Sequence, residues 1–421
     1  MSRPRKPESA QASNVFQFTL AGLIIFSLAL VVGASFVTYR LAADHRPDRA
    51  DTFAADATDK NNLLHAGPWG VLLAHNIQLE RPAEYLNAEV ASPKPETWSF
   101  DGLQPETAKA LLAEYGLSAE QVDAAFAPGS FGADGSGTTL KPTMGFLLSL
   151  PPDTRSRLYA ALAGRGVNTY FDYPYIFPGE TVESIYADAR LHPDDAALLR
   201  RLVYPNGSAR QLSDYSALLC QVPTLERRVA LSQAISRQSA VLVRLVINPD
   251  SDIDKIAGYW GNVPNMRFTD IRPLLESLKQ QPEGGNISLL YLLPKFARDR
   301  LYTFPLPPQP GDPVMDCHWT TFNFSNETPD NRFNDPAYVL QFIQKNYYQI
   351  AAPSQYGDIL LLMNNRDEIK HSAVFLADDL VFTKNGNNYS QPWMLMRIPD
   401  LLATYPSKPP MSVVYMRRKT K

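Results

Sequence analysis

Near its C-terminus the chain reads Asp316-Cys317-His318-Trp319-Thr320-Thr321-Phe322, and further on His371-Ser372-Ala373-Val374-Phe375-Leu376. The first motif predicts a helix that begins at its cysteine, because the Asp316 carboxylate can cap the free N–H groups of the first turn. The second is an apolar run of strand length that opens with a histidine. We therefore expect a thiol at a helix start and an imidazole on a strand, both in one C-terminal domain.

The sequence around these motifs predicts a helix followed by several strands. A helix is expected over 336–348, and the strand-length apolar runs cover 358–363, 370–376, 380–384, 393–398 and 413–417. Ala377-Asp378-Asp379 is a tight-turn sequence, so the second and third runs should form a hairpin. Helices first and then mostly antiparallel strands are an α+β arrangement.

The 421 residues are too many for one typical core, so we expect two folded domains with appendages. Helical patterns dominate residues 66–295, which predicts a mostly α-helical domain whose role the sequence does not indicate. Proline-rich 304–311 leads from there into the cysteine motif. The C-terminal domain is therefore expected to cover 296–421.

The N-terminal residues have the pattern of a membrane anchor. The run from Val15 to Val37 carries no charge and is long enough to cross a hydrocarbon core of ~30 Å as a helix. Because the cations concentrate before this run, the positive-inside rule leaves residues 1–14 in the cytoplasm. We therefore predict a single-pass signal anchor over 15–38 in the cytoplasmic (inner) membrane, a tether over 39–65, and an extracytoplasmic or periplasmic bulk. The alternative is a cleaved signal peptide, with a site near 32–35.

Composition excludes several classes of function. The net charge is −3 and no basic stripe is interleaved with aromatic residues, which argues against a nucleic-acid partner. The six histidines are scattered and no glycine-rich phosphate loop is present, so neither a metal nor another cofactor is expected. The two cysteines, Cys220 and Cys317, would form a disulfide in the simplest reading of an exported chain. Their contexts differ, which favours two free thiols.

Cys317 and His371 have the residue types and the order required for nucleophilic catalysis. A helix N-terminus favours the thiolate over the thiol, since its free N–H groups and the helix dipole stabilise an anion. His371 is the candidate base that takes the thiol proton and returns it to the leaving amine. A third polar group should orient the imidazole. Thr383 and Asn385 alternate onto one face of the neighbouring strand, and both remain candidates, with Asn385 placed first.

These motifs resemble those of the NlpC-type cysteine peptidases, a papain-like branch of cell-wall hydrolases. The resemblance covers roughly 300–421 and rests on Asp316-Cys317, on Gly357-Asp358 before an apolar strand, and on the His371 strand with its hairpin. It implies a catalytic Cys317 and His371, and Tyr302 at about the position of a tyrosine that shapes the oxyanion site. The chain departs from the family in three places: His318-Trp319 replaces the usual Ser-Gly, the Gly-Gly before the cysteine is absent, and Thr383 stands where a histidine is usual.

Two functions from different classes follow. In the first, the chain is a membrane-anchored, extracytoplasmic thiol hydrolase, a cysteine peptidase or amidase. Its substrate is a peptide or amide, and the resemblance implies peptidoglycan stem peptides. In the second, it is a catalytically inactive papain-like relative that acts as a cell-envelope binding module. The Cys–His order favours the first, and the missing Ser-Gly favours the second.

Overall fold

The computed structural model describes residues 62–179, 181–264, 268–307, 309–407 and 409–419. The predicted cytoplasmic tail, the anchor over 15–38 and most of the tether lie outside the described residues. Within these ranges, none of the helices has the length and apolar character needed to span a membrane. The described chain consists of helices and antiparallel sheets, which confirms the α+β class.

The strands of the described ranges form four antiparallel sheets. In chain order the strands are β1 Val71–Leu79, β2 Trp98–Asp101, β3 Phe131–Asp134, β4 Gly137–Leu140, β5 Tyr175–Pro178, β6 Tyr204–Asn206, β7 Ala209–Leu212, β8 Gln238–Ile247, β9 Gly285–Ser288, β10 Tyr347–Ile350, β11 Ile359–Met363, β12 Ile369–Ala377, β13 Leu380–Lys384, β14 Trp393–Arg397 and β15 Ser412–Arg418. The sheet orders are β1-β8-β9, β2-β4-β3, β5-β7-β6 and β10-β15-β11-β12-β13-β14.

The helices are mostly short. In chain order they are α1 Ala83–Val90, α2 Pro105–Glu114, α3 Ala119–Ala125, α4 Met144–Ser149, α5 Pro152–Leu162, α6 Thr169–Asp172, α7 Thr181–Tyr186, α8 Pro193–Leu202, α9 Tyr215–Gln221, α10 Leu225–Ile235, α11 Ile253–Trp260, α12 Phe268–Lys279, α13 Lys295–Arg298, α14 Cys317–Asn323, α15 Pro336–Asn346 and α16 Ile398–Ala403. Short 3₁₀ helices cover Leu289–Leu292 and Asn331–Asn334.

A long antiparallel ladder between β1 and β8 organises the chain. It runs from Val71 opposite Val246 to Leu79 opposite Gln238. The chain therefore leaves the ladder after Leu79 and returns to it at Gln238, so residues 80–237 are an insertion. We call this segment the inserted lobe. Its two ends meet in an ion pair, in which the Arg237 guanidinium lies 2.7 Å from Oε1 of Glu80.

The hydrophobic core is divided at this ladder and not at the predicted boundary between 295 and 296. One cluster, from Leu86 to Ile235, belongs wholly to the inserted lobe. A second cluster contains residues from the segment 64–74, from β8 and from the helices that follow β8. These residues pack against one face of the six-stranded sheet. The core divides here because β1 precedes the insertion and β8 follows it. The two strands pair with each other and pack against the C-terminal elements.

The C-terminal elements follow the predicted order. Helix α14 begins at Cys317, and Oδ1 of Asp316 accepts a hydrogen bond of 2.7 Å from the Trp319 N–H, as the capping motif predicted. The hairpin between β12 and β13 turns at Asp378, whose φ is 52°. Strand β10, which pairs with β15 at the edge of the sheet, was not predicted, because 347–350 continues the helical pattern of α15.

The inserted lobe buries two carboxyl groups, those of Glu96 and Asp214. One Glu96 oxygen accepts from Asn168, and the other accepts from the Ala217 N–H at 3.3 Å. One Asp214 oxygen accepts from the Tyr159 hydroxyl at 2.7 Å. Burial, and then the neighbouring charge of Asp214, raise the pKa of Glu96 to about 8. Burial likewise raises the pKa of Asp214 to about 6.

We predict that Glu96→Gln flattens the pH dependence of stability. A carboxyl group whose folded pKa is raised stabilises the fold below its unfolded pKa of about 4.3, and this contribution is lost as the pH rises through the folded value near 8. The parent should therefore lose stability relative to Glu96→Gln between about pH 4.5 and 8, by on the order of 3 kcal/mol. Urea unfolding at several pH values measures the difference.

The exposed Glu120 provides the matched control, since Glu120→Gln changes the same functional group at the surface. Parallel curves for the parent and Glu96→Gln over this pH range would contradict the assignment of a shifted carboxyl group to Glu96.

Candidate functional site

The thiol of Cys317 lies at the first residue of α14 and is almost completely buried, with 5% of the residue exposed. Its sulfur is therefore beside the free N–H groups of the first helical turn, where a negative charge is favoured. Cys220, in contrast, is exposed on the inserted lobe, and both cysteines are free thiols. The favoured expectation of two unpaired cysteines is thus the arrangement found.

The imidazole of His371 is fully buried between two hydroxyl groups. Its Nε2 lies 2.9 Å from Oγ1 of Thr383, and its Nδ1 lies 2.7 Å from the hydroxyl of Tyr405. The Tyr405 ring also packs on the imidazole, with ring centroids 4.6 Å apart. The histidine is therefore held in one orientation by contacts at both nitrogens.

The neighbouring contacts fix the direction of these hydrogen bonds. The Thr383 hydroxyl donates to Oδ1 of Asn385 at 3.4 Å, so it accepts from Nε2–H of His371. Nδ1 is then the unprotonated nitrogen and accepts from the Tyr405 hydroxyl. Thr383 is thus the residue that orients the imidazole, and Asn385 acts on it only through Thr383. Of the two candidates, Thr383 is the one whose side chain contacts the imidazole.

Cys317 and His371 lie at the same end of β12 but on different faces of the sheet. The Ser372 hydroxyl donates to the Cys317 carbonyl at 3.3 Å and lies 2.9 Å from Nδ1 of His318, so α14 packs on the face that Ser372 occupies. Because side chains alternate along a strand, His371 projects to the other face. Both its nitrogens contact hydroxyls, and among the described residues neither is hydrogen bonded to the Cys317 sulfur.

Tyr405 contacts His371 directly and lies within electrostatic range of Cys317. Its hydroxyl contacts His371, and its pKa is raised well above the ordinary value, first by burial and then by the nearby charges of Cys317 and Asp316. It follows α16 in a stretch without any motif. Sequence reasoning missed it for that reason.

Lys384 is a second residue that sequence reasoning missed. Its side chain is completely buried, and Nζ donates to the carbonyls of Gly386 at 3.1 Å and Asn388 at 2.8 Å. Burial lowers its pKa to about 8, while the charges of Cys317 and Asp316 oppose this shift. A lysine at the end of a five-residue strand that opens with three apolar residues was the available signal.

Tyr302 is not part of this cluster. Its hydroxyl donates to the Val241 carbonyl at 2.6 Å, and its N–H donates to the Trp393 carbonyl at 2.7 Å. It therefore connects β8 with β14. The Tyr302 hydroxyl, which was predicted to be an oxyanion donor, is thus hydrogen bonded to another sheet and does not contact His371.

The loop that follows Lys384 is anchored in the inserted lobe. The Tyr389 hydroxyl donates to Oε2 of Glu89 at 2.8 Å, and the Arg81 guanidinium lies 4.9 Å from the centre of the Tyr389 ring. Arg81 in turn pairs with Glu89 at 2.8 Å. The Gly386 and Asn388 carbonyls, which hold the Lys384 amine, thus belong to a loop whose Tyr389 is bound by residues of the inserted lobe.

Comparison with protein-family models, with curated proteins and with solved structures finds no match to this chain. In the ranges that the structure describes, no group of histidine, cysteine and acidic side chains is arranged to hold a metal ion. The candidate site is therefore defined by Cys317, His371, Thr383, Lys384 and Tyr405 and by their contacts alone.

We predict that Thr383→Val destabilises the fold by about 1–3 kcal/mol, because it leaves the buried Nε2–H of His371 without an acceptor. Thr383→Ser keeps the hydroxyl and should lose about 1 kcal/mol at most. Urea unfolding measures both values, and nitrogen chemical shifts of the imidazole report whether its tautomer changes. Equal stability of Thr383→Val and the parent would contradict the hydrogen-bond assignment.

Proposed function

We propose that this protein is a thiol hydrolase of papain-like type that cleaves peptide or amide bonds, with Cys317 as nucleophile and His371 as base. The observation that carries the proposal is the oriented imidazole: its unprotonated Nδ1 faces the Tyr405 hydroxyl, at the end of β12 where α14 begins with Cys317. A buried histidine held by hydroxyls at both nitrogens and a thiol at a helix start, both at this end of the strand, are the parts that nucleophilic catalysis requires.

In the proposed mechanism, the Tyr405 hydroxyl connects the thiol to the base. The Cys317 thiol gives its proton to the Tyr405 oxygen while the Tyr405 proton moves to Nδ1 of His371. The products are a thiolate and an imidazolium, whose Nε2–H remains on Thr383. The thiolate then attacks the carbonyl carbon of the substrate, and the leaving amine takes the proton back along the same route. Water finally hydrolyses the thioester and restores the thiol.

The substrate class rests on the sequence. The resemblance to NlpC-type peptidases and the predicted anchor over 15–38 support a substrate outside the cytoplasmic membrane, with peptidoglycan stem peptides as the proposed target. The position of Thr383 adds support, because it occupies the place of that family's third catalytic residue and contacts Nε2 of His371.

One observation favours a second function, that of an inactive papain-like binding module in the cell envelope. Both imidazole nitrogens are engaged by hydroxyls, and only 5% of Cys317 is exposed. In a protein selected only for binding, such a histidine would be a buried structural residue. The two functions are separated by activity assays.

We predict that Cys317→Ala and His371→Ala each lower the release of amines from peptidoglycan fragments by on the order of 10³-fold or more. The double variant should lose hardly more than either single variant, because groups that act as one unit are strongly non-additive. Cys220→Ser, which removes the exposed thiol, is the matched control. If Cys317→Ala is as active as the parent, the hydrolase function is excluded and the binding module is favoured.

We also predict that Tyr405→Phe lowers turnover by about 10²-fold or more, since a proton-transfer group contributes at least that factor. The substitution keeps the ring against His371 and removes only the hydroxyl. The same change at Tyr291, which is 59% exposed, is the control. Unchanged turnover in Tyr405→Phe would rule out the relay and, because His371 lies on the other face of the sheet from Cys317, the role of His371 as base.

A further inference from the structure

The loop that follows β13 supports both hydroxyls that hold the His371 imidazole. Oδ1 of Asn385, the first residue of this loop, accepts from the Thr383 hydroxyl at 3.4 Å. Burial raises the pKa of Tyr405, and the nearby N–H of Gly386, the second residue of the loop, opposes this rise. Thr383 and Tyr405 in turn contact Nε2 and Nδ1 of His371 at 2.9 and 2.7 Å. The position of the loop therefore affects the imidazole from two sides.

This loop is held both by the six-stranded sheet and by the inserted lobe. From the sheet, the Lys384 amine donates to the Gly386 and Asn388 carbonyls at 3.1 and 2.8 Å. From the lobe, Oε2 of Glu89 on α1 accepts from the Tyr389 hydroxyl at 2.8 Å. Burial, and then the charge of Glu89, raise the pKa of Tyr389 to about 12, so this hydroxyl remains a donor at neutral pH. The Tyr389 contact therefore ties the loop to the lobe.

The acceptor of this contact is itself fixed within the lobe. Arg81, two residues beyond the end of β1, is almost completely buried and pairs with Glu89 at 2.8 Å. Its guanidinium lies 4.9 Å from the centre of the Tyr389 ring, and its carbonyl accepts from the Gln233 amide of α10 at 2.9 Å. A hydrogen bond to an ionised acceptor is stronger than one between neutral groups. Tyr389 is thus held both at its ring and at its hydroxyl.

We infer that Tyr389 is a positioning residue for the proposed reaction, through which the inserted lobe keeps His371 in its reactive orientation. The inference rests on the proposed role of His371 as base, and it gives the lobe a part in the chemistry. Glu89 holds Tyr389, Tyr389 holds the loop, and the first two residues of the loop support Thr383 and Tyr405. If the loop shifts away, the Thr383 hydroxyl loses its acceptor and can donate to Nε2 of His371 instead. The imidazole proton then moves to Nδ1, where it blocks the relay through Tyr405.

The imidazole provides a readout that needs no substrate. In the full chain labelled with ¹⁵N-histidine, the ring nitrogens of His371 are assigned with His371→Ala. They are then followed in Tyr389→Phe, which removes the hydroxyl, and in Tyr389→Ala, which also removes the ring. The parent should show one tautomer, with the proton on Nε2. In both variants the two nitrogen shifts should move toward each other as the second tautomer becomes populated, and the change should be larger in Tyr389→Ala.

Turnover of peptidoglycan fragments provides a second readout. Tyr389→Phe should lower kcat by about 10-fold and change KM by less than about twofold, because displacement of a positioning group acts on the chemical step. Glu89→Ala should reproduce this loss from the lobe side, and Glu89→Gln, which keeps an oxygen acceptor, should recover most of it. Tyr204→Phe is the matched control, since it removes a tyrosine hydroxyl that lies 2.6 Å from Oγ of Ser213 within the lobe.

Nitrogen shifts of His371 that are the same in folded Tyr389→Ala as in the parent overturn the inference. An equal change in Tyr204→Phe also overturns it, because the effect would then be a general loosening of the lobe. If Tyr389→Ala does not fold, Tyr389→Phe decides by the same criteria. Failure of the proposed function is a separate result: it appears as full activity in Cys317→Ala, whereas the tautomer of His371 is read without turnover.

Discussion

The pairing of β1 with β8 is the constraint on which the rest of the structure depends. It closes the chain around the inserted lobe, and it places β8 where the Tyr302 hydroxyl can reach it from the segment before the cysteine motif. The two ends of the lobe therefore leave the ladder at adjacent residues, Leu79 and Gln238, and the lobe has its own hydrophobic cluster. The lobe is joined to the rest of the chain through this ladder, and it also contacts the loop after β13 through Glu89 and Arg81.

Local signals in the sequence were sufficient for the elements of the site but not for their arrangement. The cap at Asp316, the helix from Cys317 and the hairpin around Asp378 each depend on residues within a few positions, and each was predicted. The division of the core was not, because β1 and β8 are distant in sequence and no local pattern connects them. Tyr405 was missed for the same reason. It reaches His371 from a stretch without regular structure, while Tyr302 has a suitable spacing and serves another purpose.

The site combines two faces of one sheet. Strand alternation places Ser372 and Lys384 under α14 and sends His371 and Thr383 to the opposite side. A sequence comparison sees only the order of cysteine and histidine, which is the same whichever face each side chain occupies. The contact between Tyr405 and His371 therefore says as much about what the imidazole can do as the cysteine motif says about the thiol. The near-complete burial of Cys317 adds a second constraint, since under the proposed function a carbonyl substrate would have to reach a sulfur that is almost inaccessible to solvent.

The anchoring of Tyr389 makes the position of the Lys384 amine a property of both cores. The carbonyls of Gly386 and Asn388 hold the amine, and the adjacent tyrosine is bound by Glu89 and covered by Arg81 in the inserted lobe. The two regions are therefore energetically coupled. A change that strengthens the hydrogen bond between Glu89 and Tyr389 also restricts the positions open to the Lys384 amine. Selection acting on the inserted lobe, at residues far from Lys384 in sequence, would thus change how this buried amine is held.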